Sequence, residues 1–429
     1  MRLVLFDCFL ELRSRFFPLS LGRPLWELRV GMDSLADKLV AKIQPDDIVY
    51  FVPDYMADAY RAQVDKPVNK MSALVGDDLI LVNPVVKAES FKVPAKGASE
   101  IGLDEHRMVV YARISKSDVK RIASDDIETF IDSARAKLTN VTCKFPIWNY
   151  TWDLILANGE QIKADFAAAG RDGFEGSLEE PVALRGSRTD VYVAPGVKVH
   201  PMVTIDAEHG PVYIDQGAEI LPFTRIEGPC YIGKDSILLG ANCREGNSIG
   251  PCCRIGGEVE ESIIHGYSNK YHDGFIGHSY IGEWVNLGAL TTNSDLKNDY
   301  SNVSIMLDGQ RAIDTGSTKV GSLVGDHTKT SIGTLLNTGS YLGAMAIIMA
   351  TGKPLPKYIP SFAWFIEGIV TKGFGKGRLY ETAKTAMSRR KREWTPAMEA
   401  MWDAVFEMTA PLRNKAIQKG RKMLVNKIE

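Results

Sequence analysis

Aliphatic residues recur at every sixth position through the middle of the chain. Ile214, Ile220, Ile226 and Ile232 make one such series, Ile249 and Ile255 a second, and Phe275, Ile281 and Leu287 a third, most of them followed by a small or acidic residue. Neither a helix nor a hairpin sheet has a period of six. A six-residue unit of this kind lays a short strand on one side of a triangular prism and turns the corner with a residue that tolerates the bend. Three units close a coil, and each inward aliphatic side chain stacks on a counterpart about 18 residues away. The pattern predicts a left-handed parallel β-helix of hexapeptide repeats over residues 191–355. The rhythm breaks between Ser294 and Lys319, which predicts a loop projecting from the prism, and resumes at Val320, Val324 and Ile332.

Upstream the pattern is of another kind. The apolar runs LVLF, DIVYFV, DLILV and MVVYARI alternate with the amphipathic stretches DSLADKLVAKI and DIETFIDSARAKL. Such alternation predicts an α/β domain over residues 1–165 with a mostly parallel sheet covered on both faces, an architecture shared by nucleotide-binding proteins by analogy only. Residues 166–190, rich in glycine and charge, are expected to be a linker. Past Pro354, Pro356 and Pro360, residues 356–429 are expected to be a helical extension. It is basic, with SRRKR at 388–392, and reads either as a solvated helix packed on the prism or a neighbouring subunit, or as a phosphate-binding tail.

Composition narrows the classes. With 45% hydrophobic and 24% charged residues and a formal net charge of -2, the chain has the makeup of a soluble globular protein. It shows no general affinity for nucleic acid or acidic membranes, so any anion must be bound locally. No apolar stretch approaches the roughly 20 residues that span a bilayer, and MRLVLFDCFLEL reads as a first strand, not a secretory leader. The six cysteines form no C-x-x-C pair, which suits buried thiols in a reducing compartment. A cytoplasmic location is expected.

The densest polar cluster in the repeats is His265-Gly-Tyr-Ser-Asn-Lys-Tyr-His272-Asp-Gly, followed by His278 and by Asn286-Leu-Gly-Ala289. Histidine ionises near neutrality and can take a proton from an attacking amine, which makes His272 the candidate general base. Three histidines so close also raise a zinc site. Positions six apart fall on adjacent sides of a prism, however, so convergence within one chain is not expected. In the first domain Arg13, Arg15, Arg23 and Arg29 surround PLSLGRPLWELRVG, just after the first strand, where open α/β sheets usually receive phosphate. No G-x-G-x-x-G or G-x-x-x-x-G-K-[ST] accompanies them.

The segments FPLSLGRPLWELRVGM, YTWDLILANGEQIKADF, IGGEV, GYSNKYHDGFIG, IGEWVNLGA, LKNDY, VGDHTKTSIGTLLNTG and PSFAW resemble the alternative bacterial form of the bifunctional UDP-N-acetylglucosamine diphosphorylase and glucosamine-1-phosphate N-acetyltransferase. The resemblance runs through nearly the whole chain and is most specific from Ile255 to Gly339. It implies a nucleotidyltransferase-like first domain and a β-helical acetyltransferase using acetyl-CoA. It implies His272 as catalytic residue, Lys270, Asn286, Asn293 and Lys297 as substrate-binding, and Ala289 beside the CoA thioester. A tyrosine common three residues after the histidine is Phe275 here. For the first domain it implies nucleotide or phosphate contacts at Arg15, Arg23 and Arg29, and a Mg²⁺ site using Asp153 and Asn83, with Leu25 standing near the expected lysine.

The function expected is acetyl transfer to an amino-sugar 1-phosphate by a homotrimer, with nucleotidyl transfer to a UDP-sugar as a second activity. Its partners would then be sugar phosphates and nucleotides, with no nucleic acid and no membrane. The alternative is a sugar-phosphate or sugar-nucleotide binding protein, with one activity or none, in which the β-helix serves only to trimerise.

Overall fold

The computed structural model describes residues 1–122 and 124–428, with side chains through residue 423. In the first domain, strand β1 (Arg2–Phe6) is flanked by β2 (Asp47–Phe51) and β3 (Leu79–Val82), both parallel to it. Leu3, Val4, Leu5 and Phe6 are all buried, as a continuous apolar run should be when helices or loops cover both faces of a parallel strand. The sheet continues through β4 (Glu100–Leu103), β5 (Val109–Ile114) and β6 (Thr139–Thr142) in the order β2-β1-β3-β5-β4-β6. The sheet is mostly parallel, as expected, with one exception. The MVVYARI strand β5 runs antiparallel to both neighbours, because the connection from β4 to β5 is too short for the crossover that parallel pairing requires.

After β1 comes a short helix, α1 (Leu10–Ser14), then a buried segment from Phe16 to Leu28, then α2 (Leu35–Ile43). Ser34 and Asp37 close a capping box at the start of α2. Helix α3 (Ile127–Lys137) covers one face of the sheet through Phe130, Ile131 and Ala134. Helix α4 (Thr151–Ala169) leaves the domain along the prism. On it Asn158, fully buried, accepts from Gly31 N at 2.7 Å and donates to Gly246 O at 2.8 Å. One satisfied amide thereby ties helix, first domain and prism together.

The prism is a parallel β-helix. Along one side Phe174, Val193, Ile214, Ile232, Ile249, Ile264, Ile281, Val324, Leu342 and Ile359 pair in succession. They belong to a ten-stranded sheet and form the spine of the apolar column. The spacing is 18 residues between Ile214 and Ile232 but shrinks to 15 between Ile249 and Ile264, which is why the six-residue rhythm falters there.

Three boundaries differ from the sequence reading. The expected linker 166–190 instead carries the end of α4 and the first coil: Gly173–Phe174, Ser177–Leu178 and Val182–Arg185 each pair with the coil above. At the far end the prism runs past residue 355, since Tyr358–Ile359 and Trp364–Ile366 still pair with preceding coils. The open column ends need covering, and these short, partly polar strands supply it. The break at 294–319 holds a hairpin, Ser304–Met306 with Ala312–Asp314. It does not simply project: Val303 and Ile305 are buried with Trp148 and Trp152 of the first domain.

The extension forms α5 (Gly375–Ser388), α6 (Pro396–Met408) and α7 (Ala410–Ile428). Thr395 caps α6 through Met398 N at 3.2 Å, with Pro396 at the first helical position, where no amide donor is needed. Met401, Trp402 and Val405 pack with Met56 and Tyr60 of the first domain and Phe362 of the prism. Among the described residues no helix is long and apolar enough to cross a membrane.

Candidate active site

The three clustered histidines have three different environments. His265 is buried, with Nε2 2.9 Å from Glu27 O and Nδ1 3.3 Å from Glu283 Oε1. Burial, with Arg23 nearby, lowers its pKa to about 4, so it stays neutral in the junction between domains. His278 is also buried but clamped between Glu261 at 2.7 Å and Asp295 at 2.8 Å. Burial opposes its charge, yet the hydrogen bonds from these carboxylates outweigh it and raise the pKa to about 9. An imidazolium with both nitrogens engaged cannot act as a base.

His272 differs from both. It is exposed on the turn between Asn269–Lys270 and Phe275–Gly277, and among the described residues its ring makes no hydrogen bond. The turn itself is well held. Lys270 Nζ donates to His272 O at 2.6 Å and to Gly256 O at 2.7 Å, and Leu290 N donates to Asp273 O at 2.8 Å. Lys270 is only 4% exposed. The structure therefore places its ammonium beneath the turn, on two carbonyls, and not at a surface where a substrate would lie.

The other residues implied for the prism separate into surface and interior. Asn286 is half-buried, accepts from Asn269 Nδ2 at 3.3 Å and lines an open cleft. Ala289 is half-buried next to the turn, and its carbonyl accepts from Gly333 N at 2.8 Å. Asn293 points inward: its amide bonds Gly277 N at 2.8 Å, Gly277 O at 2.9 Å and Ser279 Oγ at 3.1 Å. That is a ladder rung inside the column. Lys297 is tied to Ser301 Oγ at 3.1 Å and to Asn302 O in the loop before the hairpin.

In the first domain the basic residues do not converge. Arg15, paired with Glu11 at 3.3 Å, lines a cavity of about 830 Å³ beyond the end of β1, with Asp104, Arg107, Glu128 and Arg135. Arg23 points the other way. It is 5% exposed and pairs with Asp326 at 2.8 Å and Glu283 at 3.5 Å on the prism. Arg29 lies against Tyr231, 5.9 Å from the ring centre, with its guanidinium on Met32 O. Arg13 is buried on Asp7. The PLSLGRP segment thus serves as the seam between domains.

The residues implied for Mg²⁺ do not fit that role. Asp153 accepts from Asn149 N at 2.7 Å and Tyr150 N at 3.2 Å, capping α4. Asn83, 1% exposed, bonds Val109 O at 3.1 Å and Val85 N at 3.3 Å. Among the described residues no group of three or more His, Cys, Asp or Glu side chains is placed to hold a metal ion.

Sequence reasoning missed the carboxylates Glu283 and Asp326 that meet Arg23, because their partner is some 300 positions away. It also missed Tyr267 and Trp284, whose rings stack 4.4 Å apart at a corner of the prism. Their one sequence signal was the presence of bulky aromatics where a turn usually carries a small residue.

Residues 3–172 match the family model described as sugar nucleotidyl transferase. A bifunctional sugar-1-phosphate nucleotidylyltransferase/acetyltransferase of Sulfurisphaera tokodaii is 38% identical over 151 residues, 32% of this chain and 35% of that protein. The bifunctional protein GlmU of Anaplasma marginale is 35% identical over 24% of each chain. That of Ralstonia pickettii is 37% identical over 27% of this chain and 25% of its own. The alignments therefore span about a third or less of these relatives. A solved Arabidopsis UDP-N-acetylglucosamine acyltransferase covers 57% of this chain and 94% of its own at 11% identity, with a TM-score of 0.24, too loose a superposition to carry weight. Residues 3–172 thus match a sugar nucleotidyl transferase domain, and about a third or less of the chain aligns, at modest identity, with bifunctional nucleotidylyltransferase/acetyltransferases of the GlmU type.

Proposed function

We propose that the chain is an acetyl-CoA-dependent N-acetyltransferase acting on an amino-sugar 1-phosphate of the glucosamine 1-phosphate class, with His272 as general base. The observation that carries this reading is the contrast among the histidines. His272 has an unoccupied, exposed imidazole on a turn fastened by Lys270 and Leu290, while His265 and His278 are committed to structure. In the step proposed, His272 takes a proton as the sugar amine attacks the thioester carbonyl. The tetrahedral intermediate then collapses, the C–S bond breaks, and the CoA thiolate leaves to be protonated. Asn286 and Ala289, near the same turn in the next coil, are assigned to the sugar phosphate and the thioester. The relatives support the chemistry, since their names join nucleotidyl and acetyl transfer.

An exposed base on one prism needs a second wall to exclude water. A homotrimer with prism sides facing each other supplies that wall, and light scattering should return three times the monomer mass. A cytoplasmic location goes with this reading, since its substrates are soluble metabolites. Incubation with acetyl-CoA and glucosamine 1-phosphate should release free thiol, and His272→Ala should slow the release by a factor on the order of 10² or more. No release with any hexosamine phosphate would refute the assignment.

The first domain is assigned nucleotidyl transfer, on the strength of its family match and of the cavity at Arg15. It predicts pyrophosphate release from UTP and N-acetylglucosamine 1-phosphate, weakened by Arg15→Ala. One observation favours a second reading: the segment Phe16–Leu28 is buried as a seam against the prism, so the loop after β1 is not free to wrap a triphosphate. Silence in the pyrophosphate assay alongside measurable UTP binding would make this domain a sensor.

A further inference from the structure

The segment PLSLGRPLWELRVG meets the prism and helix α6 around a cavity of about 500 Å³, within the size range of small-molecule sites. Gly22, Arg23 and Glu27 of the segment line it, with Glu283, Asp326 and His327 of the prism. Trp402 of α6 closes one side, and Ala59 and Ala62 come from the short helix Ala57–Arg61 and the residue after it. A Cβ at Gly22 would stand 2.8 Å from the Trp402 ring and 3.2 Å from Asp326 Oδ2, so only glycine lets the segment close on both. No residue of the His272 turn lines this cavity.

Its floor carries three carboxylates and one guanidinium. Arg23 Nη2 lies 2.8 Å from Asp326 and 3.5 Å from Glu283, and Glu27 has no cation within salt-bridge distance among the described residues. Lys329, whose charge reaches Asp326, is spent on the carbonyls of Trp284 and His327. At the rim Arg392 and Glu393 are both exposed and opposite in sign. The excess of negative charge shows in the carboxyls themselves. Burial, outweighing Arg23, holds Glu27 up at about 7 and Asp326 up at about 6. A positive charge placed among them would relieve that cost.

A second, independent feature is a pair of unmet hydrogen-bonding groups. Arg23 Nη1 and His327 Nδ1 are buried without a partner, in residues each 5% exposed that line the cavity. Buried polar atoms left in this state are rare in folded proteins. The guanidinium N–H calls for an acceptor, and the imidazole, kept neutral by burial, offers one donor and one acceptor. An occupant that answers all these groups carries an ammonium and hydroxyl oxygens together. Met387, Met398 and Met401 add an adaptable apolar wall for its C–H face.

We propose that this cavity binds a small hydroxylated primary amine of the amino-sugar class, its ammonium donating to Glu27 and Glu283 and its hydroxyls accepting from Arg23 and His327. Only the choice of an amino sugar among such amines rests on the transferase reading. The occupant touches first domain, prism and α6 at once, so binding holds the seam shut and stabilises the native chain.

Calorimetric titration of the full chain at neutral pH with glucosamine, glucose and N-acetylglucosamine tests it. Glucosamine should bind at one site per chain and raise the melting temperature; the other two, which lack the ammonium, should bind at least about tenfold more weakly. Glu27→Gln keeps the size and suits a site where burial already favours the neutral carboxyl, so it should fold and yet weaken glucosamine by at least about tenfold. Ala62→Trp, at an exposed position on the rim, should block the cavity without disturbing the core. Absence of saturable binding, equal affinity for glucose, or unchanged affinity in both variants would overturn the proposal. So would glucosamine binding that is lost in His272→Ala and kept in Glu27→Gln, which would put the ligand at the catalytic turn. Glu27-dependent binding in a protein that never releases thiol would keep this site and sink the acetyl-transfer reading. Thiol release without any Glu27-dependent binding would do the reverse.

Discussion

At the scale of single residues, the prism uses charge where its column would otherwise exclude it. The His278 imidazolium persists because Glu261 and Asp295 face its two nitrogens, with Lys319 the nearest competing cation on Glu261 and Asp295. Its folded pKa of about 9 lies above the ordinary histidine value. The stabilisation is therefore complete below about pH 6.5 and is lost as pH rises through about 9. Thermal melts between these limits should show a fall on the order of 2–3 kcal/mol that His278→Asn removes; identical slopes for both proteins would refute the clamp. In the proposed mechanism Lys270 acts through its neighbour, by holding the His272 carbonyl. Lys270→Met should loosen the turn and lower kcat by a factor on the order of 10² with little change in KM, because a misplaced base costs rate more than affinity. Equal losses in kcat and in fold stability would point to a purely structural role.

At the scale of elements, the coils were legible because one aliphatic residue per side must reach the column. Ile214, Ile232, Ile249 and Ile281 are all nearly inaccessible, as the repeat required. Where coils shorten, as between Ile249 and Ile264, the rhythm in the sequence breaks though the stacking does not. Ile249→Ala should leave a void in that stack and cost about 2–5 kcal/mol, read as a drop in the urea midpoint. The first coil was hidden for the opposite reason. Strands of two to four residues with charged tips, such as Val182–Arg185, carry too little periodicity to be told from a linker. The hairpin at 304–314 was equally hidden, since its burial depends on tryptophans from another domain.

At the scale of the whole molecule, the seam between first domain and prism is as much a part of the fold as either core. Arg23 sits there against Asp326 and Glu283, and burial is outweighed at Glu283 by Arg23 and His265, which lower its pKa to about 2. Removing one partner of a buried pair strands the other, so Arg23→Met should cost about 3–5 kcal/mol. Because the loss falls on the seam, calorimetry should resolve two transitions where the parent shows one; a single shifted transition would show that the domains do not melt separately.

The periodicity of aliphatic positions determined the prism, and the clustering of histidine, asparagine and glycine marked the coil where chemistry is proposed, because both are local properties of neighbouring residues. Only tertiary structure decided which histidine stays free, which arginines reach a cavity, and that PLSLGRP joins two domains. Those outcomes depend on groups brought together from distant parts of the chain, and the charge, burial and strain of a side chain are set by what packs against it.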